Sequence, residues 1–120
     1  MQKERIAIIG VGCRFPGGVS SKDSLWKLLV EGREGIIEVP PDRWNVERYY
    51  DREEGIPGKT YAKRGGFLDQ IDQFDPQFFG ISPREAPFVD PQHRLMLETA
   101  WEAIEDAGLV LDFEKGSDIA

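Results

Sequence analysis

One cysteine and one histidine are all that 120 residues offer, and that scarcity excludes whole classes of chemistry. A single cysteine closes no internal disulfide, so nothing points to an oxidising compartment. One Cys and one His provide no metal-ligand spacing. Basic residues are also scarce, 15 against 22 acids for a formal net charge of −7. Nucleic-acid binding rests on a basic patch that displaces counterions from phosphates. The local cluster Lys59, Lys63 and Arg64 is simpler as solvated surface. Long apolar runs are missing too. Residues 6–9, IAII, are strand-sized, well below a membrane span. Behind Lys3 and Arg5 they are also too short for a signal-peptide core. The expectation is a cytoplasmic protein with neither nucleic acid nor membrane as partner.

What is present suits one small α/β domain, with 40% hydrophobic residues for a core and 31% charged residues for a surface. Residues 6–9 lack polar alternation and read as a strand buried on both faces. Gly10 and Gly12 end it, and Phe15-Pro16-Gly17-Gly18 is a turn. Ser20 with Asp23 resembles a capping box that opens a helix bearing Leu25, Leu28 and Leu29. Gly32 fits just past its end.

Residues 33–64 have no periodicity and carry Trp44, Tyr49, Tyr50 and Tyr61. Aromatics argue against disorder, and a loop of this length is usually functional or laid on something larger. An ordered surface excursion is expected. In the next stretch Phe67, Leu68, Ile71, Phe74, Phe78, Phe79 and Ile81 read as core. Asp75-Pro76 and Ser82-Pro83 each suit a short helix start.

The strongest helical pattern covers residues 90–108. Asp90 caps it, Pro91 fits its first turn and Gly108 stops it. Met96, Ala100, Ala103 and Ala107 form one stripe; Leu97, Trp101 and Ile104 form the next. Wide-faced burial is expected, with Arg94, Glu98, Glu102 and Glu105 opposite. Ile119 and Ala120 resemble the opening of another strand. One clear strand plus the start of a second cannot make a parallel sheet covered on both faces. As a free-standing domain the sequence reads as incomplete.

Candidate sites fail on local chemistry. Dinucleotide binding needs Gly-x-Gly-x-x-Gly, and Phe15 stands where the third glycine belongs. Cys13 as nucleophile needs an activating base or a helix N-terminus. The single histidine, His93, has Gln92 and Arg94 beside it and no orienting carboxylate. Cys13 therefore reads as a small packing residue and His93 as helix surface. Glu53-Glu54 and Asp69 with Asp72 read as solvated loop charges.

The order of motifs is more telling than any one of them. IAIIGVGCRFPGG, LWKLLVEG, PPDRWNVERYYD, PGKTYAKRGGFL, FDPQFFGISPREA and DPQHRLMLETAWEAIEDAGL closely resemble the N-terminal part of the β-ketoacyl synthase (ketosynthase) domain of modular type I polyketide synthases. The resemblance implies the N-terminal part of a thiolase-like α-β-α-β-α fold, incomplete in this chain, with residues 1–120 truncated before the nucleophile. It also implies a parent acyltransferase that performs decarboxylative Claisen condensation of an acyl thioester with a malonyl-type extender. Phosphopantetheine would arrive on acyl carrier protein, with no cofactor bound directly. Acyl carrier protein and acyltransferase domains would be the partners, and the parent domain a homodimer.

In the family the nucleophilic cysteine and two assisting histidines lie later than Ala120, so neither Cys13 nor His93 inherits a catalytic role. No catalytic, cofactor-binding or metal residue is carried onto this chain, which alone is expected to be inactive. Two alternatives differ in substance. One is a 3-oxoacyl-[acyl-carrier-protein] synthase of the fatty-acid type. The other is a non-catalytic interaction fragment whose unfilled sheet edge invites a partner.

Overall fold

The chain's structure, a computed structural model, describes residues 5–110. They belong to two units, Arg14–Ile71 and a second formed by Met1–Cys13 with Asp72–Ala120.

The first unit opens on a tight reversal. Phe15 N–H donates to Val19 O at 2.9 Å, and the return bond from Val19 N–H measures 3.3 Å. Gly17 and Gly18 take φ of 90° and 75° at the tip, a region that costs a side chain dearly. Helix α1, Lys22–Val30, follows. Its cap is Ser21 and not Ser20: Ser21 Oγ accepts from Ser24 N–H, while Ser24 Oγ accepts from Ser21 N–H at 2.9 Å. A serine hydroxyl at the third helical position closes the reciprocal pair, leaving Asp23 to favour the first turn electrostatically. At the far end Gly32 N–H donates to Leu29 O and Arg33 N–H to Leu28 O, with Gly32 left-handed at φ 60°. That is a Schellman stop, as Gly32 foretold.

The excursion is ordered by short pieces that periodicity could not show. Strand β1, Ile36–Glu38, pairs antiparallel with β2, Arg64–Gly66, in the register Ile36 to Gly66, Ile37 to Gly65 and Glu38 to Arg64. Between them α2, Val46–Tyr49, makes one turn capped by Asn45. Thr60 N–H donates to Tyr49 O and Asp51 N–H to Thr60 O, closing the loop 51–59. A guanidinium N–H of Arg43 reaches Leu68 O at 2.6 Å, and Trp44 meets Phe67 edge-on at 5.8 Å.

In the second unit Asp75 Oδ1 accepts from both Gln77 and Phe78 N–H, yet the chain makes a turn there and not a helix. Gly80 at φ 66° ends it before a second turn can form. Ser82 likewise starts a turn that leads into a single 3₁₀ turn, Ala86–Phe88. Helix α3, Pro91–Asp106, has the expected frame: Asp90 Oδ1 accepts from Gln92 N–H at 2.8 Å and Pro91 takes the first position. Gly108 at φ 67° repeats the Schellman stop. We expect Asp90→Ala to cost about 1 kcal/mol of helix stability, read as lost helical ellipticity. Phe78 packs edge-on against Trp101 at 4.9 Å and Phe79 stacks on Phe74 at 5.4 Å.

Three expectations about burial do not hold, the first being the core at residues 67–81, where none of the seven apolar residues is buried and Phe78 is 54% exposed. Residues 6–9 form no strand and are exposed, because no described strand lies beside them; the sheet among the described residues is the β1–β2 pair. On α3 no residue is buried: Met96 is 68% exposed, while Arg94, Glu98 and Glu102 on the opposite side are half-buried. The expected strand at Ile119 lies outside the described residues. Among the described residues the buried apolar side chains are Cys13, Val19 and Val39, and none of them is fully enclosed. Large apolar side chains such as Ile8, Phe88 and Met96 stand 86%, 89% and 68% exposed. The isolated chain is therefore expected to melt broadly and to bind an apolar dye in calorimetry and fluorescence; a sharp two-state transition would contradict this.

Candidate functional site

Gly10 and Gly12 are glycines because a helix backbone lies where their side chains would be. A Cβ on Gly12 would fall 2.1 Å from Thr99 O, and one on Gly10 would fall 2.1 Å from Ala103 O and 2.8 Å from Ala107 Cβ. Going from Gly12 to Gly10 follows α3 from Thr99 toward Ala107, so the segment runs antiparallel to the helix. Val11 N–H, between the glycines, donates to Asp106 Oδ2 at 3.1 Å. The helix contributes Thr99, Ala103 and Ala107, small residues at successive four-residue steps on one face. Small residue against small residue lets the two backbones meet.

This geometry answers the dinucleotide question. The glycines approach a helix in the second unit, whereas the helix that follows them in sequence starts only at Lys22. No helix N-terminus opens directly from Gly12 to receive a pyrophosphate. The turning of the chain belongs to Gly17 and Gly18 instead.

Cys13, beside Gly12, is 6% exposed. An acyl donor needs access to the sulfur, and burial denies it. His93 is exposed in the first turn of α3, its N–H donating to Asp90 O. It lies six residues from Thr99, roughly 9 Å along the helix axis. The structure therefore assigns the two residues different surroundings: Cys13 packs, and His93 faces outward. Among the described residues no group of three or more His, Cys, Asp or Glu could hold a metal, and no helix is long and apolar enough to cross a membrane. Arg94 Nε is buried without a hydrogen-bond partner, an omission that costs about 1–3 kcal/mol in a finished fold.

Lys59, Lys63 and Arg64 are already engaged. Lys59 Nζ donates to Arg48 O at 2.8 Å, Lys63 Nζ stands 3.4 Å from Glu38, and Arg64 pairs with Glu34 at 3.2 Å while also donating to Ile36 O. Lys63 and Arg64 brace the β1–β2 pair, and Lys59 ties the loop at 59 to α2.

The sequence pattern of the family described as "Beta-ketoacyl synthase, N-terminal domain" matches residues 3–120. Among curated proteins, a mycocerosic acid synthase-like polyketide synthase of Mycobacterium tuberculosis is 54% identical over 104 residues, covering 87% of this chain and 5% of that protein. A phthioceranic/hydroxyphthioceranic acid synthase of Mycobacterium bovis is 54% identical over 112 residues, again 5% of its length. Among solved structures, an oxazolomycin ketosynthase domain from Streptomyces albus superposes with a TM-score of 0.78 at 46% identity, covering 84% of this chain and 18% of that one. The ketosynthase from module 6 of the bacillaene synthase of Bacillus subtilis gives 0.75 at 41%, covering 87% and 17%.

Proposed function

The chain belongs to the β-ketoacyl synthase family, as part of its N-terminal domain, and from that premise we propose that it serves a polyketide-synthase ketosynthase as scaffold. The proposed activity of the parent is decarboxylative Claisen condensation, joining an acyl thioester to a malonyl-type extender. Phosphopantetheine enters as the arm of an acyl carrier protein and thus as part of the substrate. Carrier and acyltransferase domains are the proposed partners, the parent domain a homodimer, and its place the cytoplasm.

The observation that carries this reading is the superposition on ketosynthase domains at 46% identity over most of the chain. One of these curated relatives is a polyketide synthase by name, which favours that type over the fatty-acid type. The role proposed for this chain's own residues is positional. Gly10 and Gly12 seat the segment ahead of Cys13 on α3, and Cys13 fills space. No reacting group is proposed within residues 5–110.

The test uses a polyketide synthase polypeptide that includes this chain. Cys13→Ala and His93→Ala should each leave condensation of a malonyl-type extender within about twofold of the parent, a change under about 0.5 kcal/mol in the barrier. Loss of condensation in either variant, with the protein still folded, would refute the assignment.

A further inference from the structure

We draw no further inference here: the strongest candidate, the outward apolar stripe of Trp26, Leu29 and Val30 on α1, carries nothing because nothing in the structure shows what covers it.

Discussion

Gly12→Ala should unseat the segment from α3 and cost about 3 kcal/mol, the upper end for inserting a methyl into a packed contact. The reason is the identity of the atom in the way. Thr99 O, 2.1 Å from the added Cβ, is a helix carbonyl that cannot rotate aside as a side chain could. Relief requires moving the segment or bending the helix, and either lengthens the bond from Val11 N–H to Asp106. Gly18→Ala is the comparison. An added Cβ there meets nothing within 4 Å, so its cost is the left-handed backbone alone, about 1–2 kcal/mol. Hydrogen exchange along α3 distinguishes them: Gly12→Ala should speed exchange at residues 99–107, and Gly18→Ala should leave those amides as they were.

This contact also marks where sequence reading stops. The helix frames were legible because their signals are local: Asp90 with Pro91, and glycines 32 and 108 just past the helix ends. Even there Ser21 and Ser24 displaced Ser20 and Asp23, since neighbouring serines offer the same chemistry one residue apart. The strands at 36–38 and 64–66 were too short, and too rich in glycine on one side, to give a period. Gly10 and Gly12 were visible as glycines, and Ala103 and Ala107 as an apolar stripe. Their meeting spans about ninety residues of chain, which no local window contains.

Residues 6–9 show a different limit. An apolar run without polar alternation describes the environment a segment is suited for. It does not say that these 120 residues supply that environment. The same holds for Met96 and Leu97 on α3, whose stripe was legible while its covering surface was not. The family resemblance supplied the missing context, and the superposition on ketosynthase domains agrees with it.

The second large effect is an absence of activity. The 120-residue chain should show no condensation above the uncatalysed background with an acyl thioester and a malonyl thioester. Condensation needs a thiolate that an acyl donor can reach and groups that stabilise the developing negative charge. Cys13 is buried, and His93 sits in an exposed turn further along α3.

The most direct test of the scaffold reading is intact-mass spectrometry of the folded chain after incubation with an acyl thioester. The account predicts an unchanged mass. One acyl group per chain, abolished by Cys13→Ala, would contradict it and make Cys13 an acyl acceptor after all.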